Sequence, residues 1–176
     1  MNAFAPYSIP IQGLKVGLHH FQFLIDDSFF ALYEASPIQE GILNFEVHFE
    51  KRADMFVIDF ELVGSVRAEC DRCTAIIDLP LQDERQLIVK YGEAEEGEDD
   101  EVVFISREAP NFNLAQYLYE FTILALPIRN IYDCQNSSTP PCNREVLDFL
   151  IKEEKELEAR KPANVWDVLN DLNKDN

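Results

Sequence analysis

Residues 56–73 read FVIDFELVGSVRAECDRC. Phe56, Ile58, Phe60, Leu62, Gly64, Val66, Ala68 and Cys70 share one parity, and Asp59, Glu61, Ser65, Arg67 and Glu69 share the other. Side chains alternate across a strand, so this pattern predicts a long strand with one face in a core and the other in water. The strand runs straight into a C-x2-C. Gly64, midway along it, predicts a bulge or sharp coil.

The same period extends upstream. Leu43, Phe45, Val47 and Phe49 alternate with Asn44, Glu46, His48 and Glu50. Further strands are predicted over 19–25, 29–34, 76–81, 86–91 and 102–105, separated by short polar turns such as Asp26-Asp27-Ser28. Hairpins and a meandering antiparallel sheet are the natural assembly.

After Asn113 the period changes. Leu114, Tyr117, Leu118, Phe121, Leu124 and Ala125 follow helical spacing, with Asn113 as cap, Gln116 at the capping-box position and Pro127 as stop. A second helix is predicted from about Asn143 to Arg160, and a short third one begins after Asn164 with Val165, Val168, Leu169 and Leu172 as its apolar stripe. The fold class is therefore α+β, a curved antiparallel sheet or partly open barrel with C-terminal helices. Residues 1–142 form the β region with one helix, and residues 143–176 a helical segment of the same domain. A chain of 176 residues, 47% hydrophobic with 13 Phe, can bury such a core without disulfides.

Cys70 and Cys73 are separated by two residues, Asp71 and Arg72. That spacing lets a tight turn aim both sulfurs at one point, about 2.3 Å from a zinc ion. Cys134 and Cys142 form a second pair across residues 135–141, a stretch rich in Ser and Pro. Two pairs in turn-like context, with no cysteine left over, predict one zinc ion held by Cys70, Cys73, Cys134 and Cys142. The ion would tie the end of the β region to the helical part. The rival is a thiol–disulfide redox pair at Cys70 and Cys73, whose chemistry needs the motif to open a helix. Here TAIIDLPL follows, and its alternation suits a strand. Plain buried thiols are the third reading. Four thiolates would close the zinc shell, which suits a structural rather than a catalytic ion. His19, His20 and His48 lie in predicted strands far from either pair and receive no role. The chain carries no P-loop, Gly-rich phosphate loop or nucleophile–base pattern, so no enzyme is predicted.

The net charge is -18, from 33 Asp and Glu against 15 Lys and Arg. A field of that sign repels a phosphate backbone and attracts basic partners. Seven of the nine residues 93–101 are acidic, which reads as a solvated loop or a lure for a basic partner. Arg67 and Arg72 flank or sit inside the knuckle. They either compensate the anionic site or form a small basic patch for RNA phosphates. The first residues, MNAFAPYSIPIQGL, show no basic n-region or long apolar run, and the most apolar segment, 114–128, is broken by Glu120 and Pro127. The expectation is a cytoplasmic protein with reduced thiols, no membrane contact and no small-molecule substrate.

Two blocks carry a resemblance. GSVRAECDRC, residues 64–73, resembles the strand and C-x-R-C signature of the YceD-like large ribosomal RNA subunit accumulation proteins. NLAQYLYEFTILALPIRNIYDC, residues 113–134, is similar to that family's helix ending in L-A-L-P before a further cysteine. KPANVWDVLNDL, residues 161–172, resembles its C-terminal segment more loosely. The resemblance implies a non-enzymatic role in accumulation of large-subunit ribosomal RNA. Cys70, Cys73, Cys134 and Arg72 match motif positions, while Cys142 fits a fourth ligand at a spacing that varies within the family. The partner implied is large-subunit ribosomal RNA or, given the acidity, a basic ribosomal protein.

Overall fold

The structure is a computed structural model and describes residues 3–92, 102–134 and 137–159. The acidic run at 93–101 and the third predicted helix, with Trp166, lie outside the described residues. The chain divides into two compact units: a larger one, Met1–Ala68 with Ile77–Asn130, and a smaller one, Glu69–Ile76 with Ile131–Asn176.

The elements are strands β1 (Ser8–Ile9) and β2 (Gly17–Ile25), helix α1 (Asp27–Phe30), strands β3 (Gly41–Lys51), β4 (Met55–Glu69), β5 (Ile76–Tyr91), β6 (Val102–Ile105) and β7 (Phe112–Asn113), and helices α2 (Ala115–Leu124) and α3 (Arg144–Ala159). Five strands form one sheet in the order β2-β3-β4-β5-β6, and β1 pairs with β7. Among the described residues the edge strands β2 and β6 do not pair, so the sheet does not close.

The alternating pattern sets the register. Phe45 faces Leu62, Val47 faces Phe60 and Phe49 faces Ile58 across the antiparallel β3–β4 pair. Phe21, Phe23 and Ile25 of β2 continue the same rows. A slip by one residue would turn every one of these side chains to water. Phe45, Phe49, Phe56, Phe60, Leu43 and Ile58 are fully buried, and each buried Phe or Leu contributes about 1.5–3 kcal/mol of transfer free energy. Phe121 of α2 meets Phe60 edge-on, with ring centroids 5.0 Å apart. Tyr119 stacks flat on Tyr33 at 3.8 Å. Lys51 Nζ donates to the carbonyls of Ile11 (2.7 Å) and Leu14 (2.9 Å), fixing the N-terminal segment to the end of β3.

Gly64 makes no bulge, because β3 and β4 stay in one register from Gly41↔Val66 to Lys51↔Phe56. Its reason is close approach. A Cβ there would strike the Ile42 carbonyl oxygen and lie 2.8 Å from Leu43 Cα, both backbone atoms that cannot step aside cheaply. Gly64→Ala is expected to destabilise the protein by about 2–3 kcal/mol through overpacking, read as a lower urea midpoint at unchanged m-value.

Four local expectations change. Residues 29–34 are not a strand. Asp26 Oδ1 accepts from Ser28 N (3.0 Å) and starts α1, a single turn that sends the adjacent Phe29 and Phe30 both into the core. A strand would have pointed them to opposite faces. Residues 76–81 and 86–91 belong to one strand, β5, which runs through Asp83-Glu84-Arg85 without a break. β6 lies parallel to β5, with Ile88↔Val102 and Tyr91↔Ile105, so the sheet is mixed. A four-residue apolar run carries no signal of its direction. Finally, α2 begins one residue later than its predicted cap. Asn113 Oδ1 accepts from Ala115 N (2.9 Å), and Gln116 donates to Glu120 (2.8 Å) instead of closing a capping box. Among the described residues no helix is long and apolar enough to cross a membrane.

Candidate metal centre

The hairpin between β4 and β5 is built by backbone. Cys70 N donates to Ala75 O (2.8 Å), and Thr74 N donates to Cys70 O (2.8 Å). Thr74 adopts φ 57, the left-handed region, which costs a β-branched residue about 1–2 kcal/mol. This tight loop keeps both Cys70 and Cys73 only 1% exposed. It is a turn and not the first turn of a helix. A redox C-x2-C needs a helix N-terminus and an accessible sulfur, and this one has neither.

Burial pushes the Cys70 thiol up, but hydrogen bonds from the backbone N–H groups of Tyr132, Arg72 and Cys73, and one with the Cys73 side chain, outweigh it. The net direction is below the ordinary thiol value, which favours the thiolate, the form that binds metal. Tyr132 comes from the other segment of the same unit. Its carbonyl accepts from Cys134 N (2.9 Å) and lies 3.4 Å from Cys134 Sγ. One residue thus touches Cys70 with its N–H and Cys134 with its carbonyl.

Cys134 and Cys142 are joined to each other as a disulfide, with their Cα atoms 7.2 Å apart. Cys70 and Cys73 are the free thiols among the described residues. Two sulfurs bonded to each other cannot also hold an ion, so a four-sulfur site needs this pair reduced. All four cysteines fall in the smaller unit. Among the described residues, however, their sulfurs form no group of three or more ligand atoms lying within 4.8 Å of one another. Four thiolates, if brought together, are a donor set of the zinc type.

The two arginines differ. Arg67 of β4 is engaged within the larger unit: Nη1 donates to Glu40 Oε2 (3.1 Å), and Nε lies 4.0 Å from Asp78 Oδ1. Both pairs are exposed, so a phosphate would have to displace weak but present partners. Arg72 is exposed at the tip of the hairpin, and its side chain has no ion pair among the described residues.

Sequence reading gave the histidines no role, and the structure gathers two of them. His20 and His48 face one another across β2 and β3, their rings edge to face at 4.6 Å. Hairpin register applied to the alternating pattern would have paired them.

Comparison with curated proteins and with solved structures gives no match. The sequence model of one family does match, over residues 58–173, about two-thirds of the 176-residue chain. Its span takes in β4, the cysteine hairpin, β5, α2 and α3, the elements just described. The chain belongs to the family described as large ribosomal RNA subunit accumulation protein YceD.

Proposed function

We propose that the chain is a non-enzymatic factor for large-subunit ribosomal RNA accumulation, built on a structural zinc ion bound by Cys70, Cys73, Cys134 and Cys142, and that it acts by holding a basic ribosomal protein. Family membership carries the ribosomal role. The zinc reading is supported by the two cysteine pairs in turn-like context and by all four cysteines lying in the smaller unit. It requires the Cys134–Cys142 disulfide to be reduced. When bound, the ion supplies a rigid four-sulfur crosslink and no reactive position. The chain's own groups do the rest: hydrogen bonds from nearby backbone amides lower the Cys70 thiol below its ordinary value, and the buried turn keeps solvent from the Cys70 and Cys73 sulfurs.

The net charge of -18 supports a basic protein as partner over naked RNA. An acidic surface raises the encounter rate with a cationic partner and shields it from wrong anionic contacts until RNA displaces the chaperone. Direct phosphate contact through Arg72 is the second reading, favoured by its exposed position at the hairpin tip. The two readings separate in solution. The first expects purified basic large-subunit proteins to bind the chain while naked ribosomal RNA does not. The second expects RNA binding that weakens steeply with salt and is lost in Arg72→Gln. Cells lacking the chain should show less large-subunit than small-subunit ribosomal RNA on a sucrose gradient. A normal ratio would remove the ribosomal role.

A further inference from the structure

On the open face of the sheet, the register aligns two polar rows. His20 of β2 faces His48 of β3, which faces Asp59 of β4; Gln22 faces Glu46, which faces Glu61. One ligand atom each from Glu46, His48 and Glu61 lies within 4.8 Å of the others. His48 Nε2 is 3.4 Å from Glu61 Oε1. That is longer than a good N–H···O hydrogen bond, about 2.9 Å. It matches the spacing of two donors on a tetrahedral ion, about 3.4 Å for bonds of about 2.0–2.1 Å. Gln22 Nε2 donates to Glu46 Oε1 (3.2 Å) and orients that carboxylate. Gln86 holds Asp59 at 2.6 Å, in the row beside the cluster.

We propose that Glu46, His48 and Glu61, with water completing the shell, form an exchangeable site for a divalent first-row transition ion on the open face of the sheet, beside the His20 ring that packs on His48. Imidazole with carboxylate suits zinc, nickel, cobalt or copper better than magnesium or calcium. Two carboxylates neutralise the dication, and the acidic surface raises its local concentration. Two of the three residues, Glu46 and Glu61, are exposed to water, so the ion exchanges freely. An ion there would join two strands, β3 and β4. The donors are all nitrogen and oxygen and lie in the larger unit, so this site is independent of the cysteine centre.

The test is a calorimetric titration of the full-length chain with Zn2+, after one equivalent has been loaded. A further equivalent is expected to bind, weakened at least tenfold in His48→Gln and in Glu61→Gln. It should be unchanged in Glu50→Gln, a carboxylate one row away that is occupied by Arg52. In parallel, the wild-type imidazole resonances of His20 and His48 should shift on Zn2+ addition while those of His19, on the other face, stay put. Equal further binding by wild type and both cluster variants, or no further binding by wild type, overturns the proposal. So do unmoved His20 and His48 resonances, a reading that needs no variant to fold.

Discussion

Cys70→Ser is expected to abolish binding of the proposed zinc ion and to unfold the smaller unit while the sheet stays folded. The reason is where each unit gets its stability. The larger unit buries a block of aromatic and aliphatic side chains on a paired sheet. In the smaller unit, residues 131–134 and 137–143 form no helix or strand, and α3 leaves Phe149, Leu150, Ile151 and Leu157 exposed. A segment with so little buried apolar surface cannot offset its own ordering entropy, which costs about 1–2 kcal/mol per residue for the backbone alone. Zinc binding supplies about 10–16 kcal/mol in small cysteine- and histidine-based domains, and that energy is folding energy. Losing one of four sulfurs forfeits most of it and leaves three thiolates competing for charge. Hydrogen exchange reads the result directly. Amide protection over 70–75 and 131–159 should collapse in the variant and under chelator, with β3 and β4 still protected. Unchanged protection in a zinc-free protein would sink the idea.

Phe60→Ala is expected to have the largest effect on the other unit, about 3–5 kcal/mol. Phe60 is fully buried, sits opposite Val47 in the β3–β4 pair and meets the ring of Phe121. The cavity would be lined by β-sheet and α2, two elements whose backbones are fixed by hydrogen bonds and cannot collapse inward. For a chain of this length each kcal/mol lowers the melting temperature by roughly 2–4 °C. The loss is measured as a shifted urea midpoint. A change below about 1 kcal/mol would mean that the site relaxes around the void, against the close packing described here.

Much of the fold was legible because it rests on strict alternation. Residues 43–49 and 56–70 repeat with period two, and burial follows that parity almost throughout. β5 kept the same parity from Ile77 through Val89, but its charged middle, Asp83-Glu84-Arg85, read as a turn. Those charges are tolerated because Arg85 Nε bonds Asp83 Oδ2 (2.7 Å) at the surface. Phe29 and Phe30 misled by composition: β-favouring residues were taken into a helical turn by the Asp26 cap just before them. The direction of β6 was beyond reach, since pairing sense is a property of the partner and not of four apolar residues.

At the cysteine hairpin, spacing identified Cys70 and Cys73 as a turn, and the structure builds that turn. What spacing could not give was the role of Tyr132, whose backbone reaches both Cys70 and Cys134, because a backbone donor has no residue identity to read. Arg67 read in sequence either as compensating an anionic site or as part of a basic patch for phosphates. Its partners in the fold, Glu40 and Asp78, come from distant positions that only the folded sheet brings near.

X-ray absorption at the zinc edge of the chain purified without chelator tests the central claim most directly. About one zinc per chain with four sulfur neighbours at about 2.3 Å is expected, with loss of one sulfur in each single cysteine-to-serine variant that still binds. A chain that carries no zinc, or whose tightly held zinc has only nitrogen and oxygen neighbours while Cys134 and Cys142 remain oxidised, would contradict it.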